Sequence, residues 1–440
     1  MSSTEEQETA TVSIRLADIH DFAAKLKQPS LEGHLLEYVA WRKAVRAAQA
    51  EGGDAVDKVE IPRIGPVSIN LDLSTTCNYA CTHCIDWDAL NLPQRHDHEK
   101  LLQSLRELTA RGLKSVIILG GGEPTLYPGF HDVVRVMKEE LRLQVAVVTN
   151  GSRNEHIAEI AHLFEEGDWV RLSLDAGSNE VFDAMHCPKQ RGITLDGICE
   201  SAKLIKQANA KVQLGFSFVI TWKGAHRDDN SVIENLHEMA MAAERARDYG
   251  FDYISFKPFL QRAEQGAEVL EPRDAAEGRA TVTQRIQEQL DLCKPLQSDS
   301  FRVVNSTNLR VLMSPDWQAF TDQPKVCHMQ ALRQVVSPLG VFNCPAHRGI
   351  GKARLGDADG WLPVEGAESN SDTKAEVKEA TPPAQAGTCD SLTTFDAHKE
   401  CAEVTCLYHP VNHWIEGLIA SDKDPEDLIE PGPEQHDYFL

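Results

Sequence analysis

Leu71-Asp72-Leu73-Ser74-Thr75-Thr76-Cys77-Asn78-Tyr79-Ala80-Cys81-Thr82-His83-Cys84 is the stretch that decides the reading of this chain. Its three cysteines fall within eight residues, spaced C-x3-C-x2-C. An alternating apolar run, Val67 to Leu73, leads into them and predicts a strand with a loop at its end. Three thiolates this close can hold three irons of a four-iron cluster and leave the fourth iron open for chemistry. A zinc knuckle or a chance cluster of cysteines is the rival reading. Zinc prefers four ligands with C-x2-C knuckles, and no matching pair follows closely.

The rest of the composition narrows the class. At 440 residues the chain can hold two or three domains. Its apolar content of 42% and charged content of 25% are ordinary for a globular protein. No window approaches a membrane-spanning apolar run, and Met1-Ser2-Ser3-Thr4-Glu5-Glu6 is not the start of a signal peptide. Lys plus Arg number 44 and Asp plus Glu 67, a net charge of −23, which argues against a broad nucleic-acid surface but not against a local basic pocket. Eleven cysteines, bunched in motifs, point to metal ligation in a reducing cytoplasm and away from a disulfide framework.

Beyond Val67 the pattern repeats as strand, loop and helix. Strands are expected at 67–73, 115–119, 144–148, 169–174, 211–220 and 253–259, and helices at 98–111, 129–142, 154–166, 194–209, 231–249 and 275–293. Short β-branched strands alternating with helices predict an α/β fold, a partial (β/α)6 TIM-type barrel, with its chemistry at the strand C-termini. Residues 1–62 read as a helical N-terminal extension, too short and too helical for a leader-peptide-binding domain, and 63–298 as the core. Residues 299–420 form a smaller α+β unit with short strands at Val303-Val304 and Leu309–Leu312 and a hairpin around Pro338-Leu339-Gly340. Within it, 362–388 is polar and Ala/Pro-rich, a mobile insertion. Residues 421–440 form an acidic, extended tail.

Motifs recur at the strand ends. Gly120-Gly121-Gly122-Glu123-Pro124 follows the second strand, where glycines admit close backbone approach and a carboxylate can meet an ammonium. Thr149-Asn150-Gly151 ends the third, first of all as a turn. Ser173-Leu174-Asp175 ends the fourth, with alternation placing Ser173 and Asp175 on one face. Ser217 lies on the fifth strand. Lys257 interrupts the apolar sixth strand, as a contact for a substrate anion or hydroxyl or as a side chain snorkelling at the rim.

Together these motifs resemble the radical S-adenosylmethionine (radical SAM) superfamily. The resemblance implies that Cys77, Cys81 and Cys84 bind a [4Fe–4S] cluster whose open iron takes the methionyl amine and carboxylate of S-adenosyl-L-methionine. It implies that His83 lies by the adenine, that Gly121, Gly122 and Glu123 hold the methionyl amine, and that Asn150, Ser173, Asp175 and Ser217 line the cofactor pocket. Reductive cleavage to a 5′-deoxyadenosyl radical and hydrogen abstraction from substrate are the implied activity, with flavodoxin or ferredoxin as electron donor. Cys187, in Met185-His186-Cys187-Pro188, is a candidate hydrogen donor beside the substrate; Cys199 and Cys293 read as packing thiols.

A second set, Cys327, Cys344, Cys401 and Cys406, can complete four-thiolate ligation, although zinc or four unrelated thiols fit the composition equally. The arrangement resembles the auxiliary-cluster domains called SPASM and, in short form, twitch. Too few cysteines follow residue 326 for two clusters, so the resemblance implies one auxiliary [4Fe–4S] cluster, with Cys389 an open alternative ligand. Twitch-bearing relatives imply a small-molecule substrate, of the sugar or aminocyclitol type, with a redox or dehydration outcome. The alternative within the class is modification of a precursor peptide. The alternative outside it is a non-cleaving iron–sulfur electron carrier or scaffold.

Overall fold

A ten-stranded sheet organises the molecule, eight of its strands parallel. The structure is a computed structural model that describes residues 20–227, 230–262, 268–269, 278–363 and 381–440. The strands are β1 (Ser68–Leu71), β2 (Ser115–Ile118), β3 (Gln144–Thr149), β4 (Trp169–Ser173), β5 (Gln213–Ile220), β6 (Tyr253–Pro258), β7 (Arg302–Asn305), β8 (Arg333–Ser337), β9 (Gly340–Phe342) and β10 (Arg354–Gly356). Their order is β7-β6-β5-β4-β3-β2-β1-β8-β9-β10. This is an α/β partial barrel, with the six expected strands in sequence and two more.

The two additional parallel strands come from beyond residue 298. β7 pairs with β6, and β8 pairs with β1, Ser68 opposite Arg333. The hairpin at Pro338 is present as β8 and β9, but its first strand also extends the barrel sheet. The expected boundary at 298/299 is therefore no break in the sheet. Leu309–Leu312, expected as a strand, lies instead in the helix Thr307–Met313, whose start Ser306 caps by accepting from Leu309 N–H. Residues 364–380 of the expected insertion lie outside the described residues, and its end, from Pro383, is the start of the helix Pro383–Thr394. Proline at the first helical position explains that start.

Alternation along the strands builds two different surfaces. Ile69, Leu71, Val170, Leu172, Leu214, Phe216, Phe218, Ile254 and Phe256 are buried in the main hydrophobic core. The opposite face lines the barrel lumen and is mixed: Ser68, Asn70 and Asp72 on β1 and its end, Arg171 and Ser173 on β4, Ser217 on β5, and Ser255 and Lys257 on β6, with the apolar Ile117, Ala146, Val148 and Val219 in the same rows. Lys257, on this face of β6, points into the lumen rather than into the helical layer.

The termini and the second thiol set close one side. Helix α1 (Phe22–Leu26) and helix α2 (Pro29–Glu51) form a second core with Tyr408, Val411, Ile415 and Leu418. The acidic tail is mostly extended, as expected, yet it packs closely: Lys25 Nζ donates to Phe439 O at 2.7 Å, and Ser115 Oγ donates to Tyr438 O at 2.7 Å. Residues 1–19, the start of the expected helical extension, lie outside the described residues.

Arg348 joins the two halves. Its Nε lies 3.0 Å from Asp72 Oδ2, just past β1, and its Nη1 donates to Asp86 Oδ1 and Oδ2 at 2.9 and 2.8 Å, just past Cys84. All three residues are buried. Burial pushes the Asp72 carboxyl up to about 7, with Arg348 opposing. An acid whose pKa is raised on folding binds its proton more tightly in the folded state, so its contribution to stability is full below about 4 and is lost as pH climbs through about 7. Removing Arg348 strips the opposing charge from two buried carboxylates. Arg348→Ala is therefore expected to cost about 3–5 kcal/mol in urea unfolding, with a larger loss at alkaline than at acidic pH. An equal, small loss at both would show that this ion-pair group does not join the halves.

Candidate functional site

The loop after β1 is held by its neighbours on three sides. Ser74 bridges Gly121 in parallel register, and Glu123 N donates to Thr76 O at 2.8 Å. Ala80 N and Thr82 N donate to His186 O and Met185 O, at the end of the helix Asn179–His186. Cys77 N donates to Asn91 Oδ1 at 3.1 Å, and Lys189 Nζ to Cys77 O at 2.9 Å. Cys77, Cys81 and Cys84 are free thiols, partly buried. Burial pushes all three up, Cys84 to about 12, and at Cys81 the neighbouring Cys84 and Cys77 add to the rise. Three thiols crowded this way resist ionisation alone, and a bound metal centre supplies the positive charge that reverses this. The set fits three-cysteine ligation of a cluster.

The glycine-rich loop packs directly on this one. A Cβ at Gly122 would lie 2.1 Å from Thr76 O, and one at Gly121, whose φ is +73°, 2.8 Å from Ser74 O. These glycines are therefore required by loop-on-loop backbone packing. Glu123 is buried with its carboxylate engaged: Thr125 Oγ1 and Thr149 Oγ1 each donate to Oε1 at 2.7 Å, and Asn150 N donates to Oε2 at 2.7 Å. Asn150 Nδ2 in turn donates to Asn78 Oδ1 at 2.8 Å, inside the cysteine loop. The residues expected to line the cofactor pocket thus also brace the loop that carries the thiols.

His83 and Asp175 also meet. His83 Nε2 lies 3.0 Å from Asp175 Oδ2, and Val219 N donates to Asp175 Oδ1 at 2.6 Å. The strand ends at Ser173, and Asp175 takes a left-handed φ of +49°, so simple alternation does not carry through to it. Burial pushes the Asp175 carboxyl up, but hydrogen bonding and charge from His83, with His186 and Val219 N–H, hold it below the ordinary value. His186 completes the group: Nδ1 lies 3.2 Å from Cys81 Sγ and Nε2 2.9 Å from Leu174 O. Sequence reasoning missed His186 and singled out its neighbour Cys187, which is exposed at the helix end with a φ of +42°. The ligand atoms of His83, Asp175 and His186 lie within 4.8 Å of one another, a clustering that the His83–Asp175 hydrogen bond and the 3.4 Å contact of His186 Nε2 with Asp175 Oδ2 account for.

Deeper in the lumen, register aligns Ser173, Ser217 and Ser255 on adjacent strands as a row of hydroxyls. Ser255 was not singled out in sequence, although its spacing from Lys257 signals the same face. The second thiol set converges as well. Cys327, Cys344, Cys401 and Cys406 line one cavity of about 170 Å³, with Arg333, Asn343, Tyr408 and Asn412 in the same wall. Burial and then mutual charge push Cys401 and Cys406 well up. Asn412 Nδ2 donates to Cys327 Sγ at 3.4 Å, and Tyr408 N to Cys406 Sγ at 3.4 Å. A single zinc draws four sulfurs to about 2.3 Å from one point and needs no such void. Four free thiols around this volume fit a polynuclear centre. Cys389 lines a separate small cavity with Tyr38, Trp41 and Trp361.

Residues 71–236 match the radical SAM superfamily, a segment that runs from the cysteine loop past the end of β5. An S-adenosylmethionine-dependent nucleotide dehydratase of a Thermoplasmatales archaeon (strain ISO4-H5) is 32% identical over 155 residues, covering 34% of this chain and 52% of that protein. The sporulation killing factor maturation protein SkfB of Bacillus subtilis (strain 168) is 31% identical over 116 residues, 26% of this chain and 27% of that one. The chain thus spans about half the length of the first relative and about a quarter of the second. Among solved structures, Streptococcus suis SuiB bound to precursor peptide SuiA aligns with a TM-score of 0.49 at 15% identity, over 90% of this chain and 80% of that one. The cysteine loop, the glycine-rich loop and the ends of β3, β4 and β5 all fall within the matched segment, and the chain carries a radical SAM domain.

Proposed function

We propose that this protein is a radical SAM enzyme acting on a small molecule, with one auxiliary cluster. The observation that carries this reading is the convergence of Cys77, Cys81 and Cys84 at the C-terminal mouth of a parallel barrel with a partly polar lumen, within the matched segment. These three thiols would hold a [4Fe–4S] cluster, and Cys327, Cys344, Cys401 and Cys406 the auxiliary one. When bound, the first cluster and S-adenosylmethionine supply reductive carbon–sulfur cleavage and a hydrogen-abstracting radical. The chain's own residues do the rest. Asn91, Lys189 and the glycine-rich loop fix the thiols, the aliphatic layer outside the strands excludes water, and the serine row and Lys257 face the substrate space.

Likeness to a nucleotide dehydratase supports the small-molecule reading. Likeness to SkfB, a maturation protein, favours peptide modification as the second. All eleven cysteines are free thiols, consistent with a reducing, cytoplasmic setting and a flavodoxin- or ferredoxin-type donor. No helix among the described residues is long and apolar enough to cross a membrane.

Anaerobically reconstituted, dithionite-reduced protein is expected to form 5′-deoxyadenosine from S-adenosylmethionine, and Cys81→Ala to form none. A wild-type sample with full iron content and no product would sink the enzyme reading. Iron should reach about eight per chain. It should fall to about four when the four later cysteines are replaced by alanine, and stay near eight in Cys389→Ala.

Asn412 makes a finer prediction. Its Oδ1 accepts from His328 N and Met329 N while its amide donates to Cys327 Sγ. Hydrogen bonds to cluster sulfurs favour the reduced state. Asn412→Asp keeps the acceptor, removes the donor and is expected to lower the auxiliary reduction potential in EPR-monitored titration. An unchanged potential would remove Asn412 from any tuning role.

A further inference from the structure

The lumen holds cations that no described residue neutralises. Arg171 on β4 has a buried Nε without a hydrogen-bond partner and, among the described residues, no ion-pair partner; its guanidinium lies 5.0 Å from the Trp169 ring. Lys257 on β6 has neither hydrogen bond nor ion pair among the described residues, and burial pushes its ammonium well down, with Arg171 adding to the fall. Asp175 is the carboxylate that faces both electrostatically, and it is committed to His83, His186 and Val219 N–H. Arg333, a third cation, donates from Nη2 to the neutral Asn70 side chain, and its buried Nε is likewise without a hydrogen-bond partner.

Register fixes their relation. Arg171 lies beside Gly215 and Tyr253 in one row of the lumen face. The row above is Ser173, Ser217 and Ser255, and Lys257 stands above that, opposite Val219. Two cations therefore bracket three hydroxyls on adjacent strands. His20, from the N-terminal segment, feels the same field: burial first, then Lys25, Lys257, Arg333 and Arg171, push its imidazole down to about 3. In a chain of net charge −23, this is a local reversal of sign. Both residues are half-buried, and two like charges facing one lumen without a described counter-charge favour a ligand that brings one.

We propose that Arg171 and Lys257, with the hydroxyls of Ser173, Ser217 and Ser255, hold an anionic group of the substrate, a phosphoryl or a carboxylate, inside the barrel. This site rests on the radical SAM reading for its role in catalysis. The anion sits below the cysteine loop: Arg171 lies two residues before the end of β4 at Ser173, about 7 Å down the strand. Held there, it anchors the substrate so that its remaining part reaches up toward the mouth where S-adenosylmethionine would bind. The geometry favours an anionic metabolite over an uncharged sugar.

The test is calorimetric titration of anaerobically reconstituted protein, with S-adenosylmethionine present, using inorganic pyrophosphate in one arm and succinate in the other. Wild type is expected to bind one of them, and the arm that succeeds assigns phosphoryl or carboxylate. Arg171→Gln and Lys257→Met are expected to weaken that binding about tenfold or more, Lys257→Arg to retain it, and the surface control Lys203→Gln to leave it unchanged. Iron content and thermal melting check folding, and the Lys257 pair decides the matter if Arg171→Gln does not fold. Binding of neither anion by wild type overturns the proposal. So does equal binding by the folded variants, or a loss that falls on S-adenosylmethionine binding and spares the added anion. Formation of 5′-deoxyadenosine by the same wild-type sample is scored separately. Product without anion binding fails this site alone, and anion binding without product fails the enzyme reading alone.

Discussion

The contact between two backbone loops sets the terms for everything else. Residues 120–123 lie so close to residues 74–76 that Gly121 and Gly122 have no room for a Cβ, and Glu123 N–H closes the contact on Thr76 O. That contact makes one rigid floor from the ends of β1 and β2. Glu123 then extends it to β3 through Thr149 and Asn150, and Asn150 returns to the cysteine loop through Asn78. A buried carboxylate accepting four well-placed hydrogen bonds is fixed in place, although burial still outweighs those bonds and pushes it up. The thiols sit on a platform whose position no single side chain controls.

From this platform two polar routes leave. One runs from Cys81 through His186 and Asp175 to His83, crossing from the cysteine loop to the end of β4 and back. The other runs through Asp86 and Arg348 into the segment that follows Cys344. Both are buried, so each group in them must be paired, and each pairing fixes a loop. The second route physically links the two thiol sets: Arg348 stands four residues after Cys344 and touches the residue two beyond Cys84.

Much of this was legible in sequence where the signal was local. C-x3-C-x2-C, the glycine run before Glu123 and the alternation of Val67–Leu73 each lie within a few residues, and the six expected strands are present. What failed depended on distant partners. β8 carries a true hairpin signal, but its other neighbour, β1, lies some 260 residues earlier, and no local pattern announces that pairing. Leu309–Leu312 is too short to separate helix from strand by period, and Ser306, the cap that decides it, was not weighed. Pro382-Pro383 reads as linker composition, yet proline also opens helices. The helix expected from 231 begins only at Met239, because Asn235 is drawn away to bond Thr221, Val219 O and Asp175 O. His186 was passed over because a cysteine beside it was the louder residue.

The proposed function requires two separate thiol sets of different openness, one that would take S-adenosylmethionine and one that four sulfurs would close. EPR of dithionite-reduced protein, with and without S-adenosylmethionine, measures this most directly when wild type is compared with a variant lacking Cys77, Cys81 and Cys84. Wild type should show two reduced-cluster signals, one of which changes on adding S-adenosylmethionine. The variant should keep only the signal that does not change. A variant that loses both signals, or keeps one that still responds to S-adenosylmethionine, would contradict the assignment of the two sets.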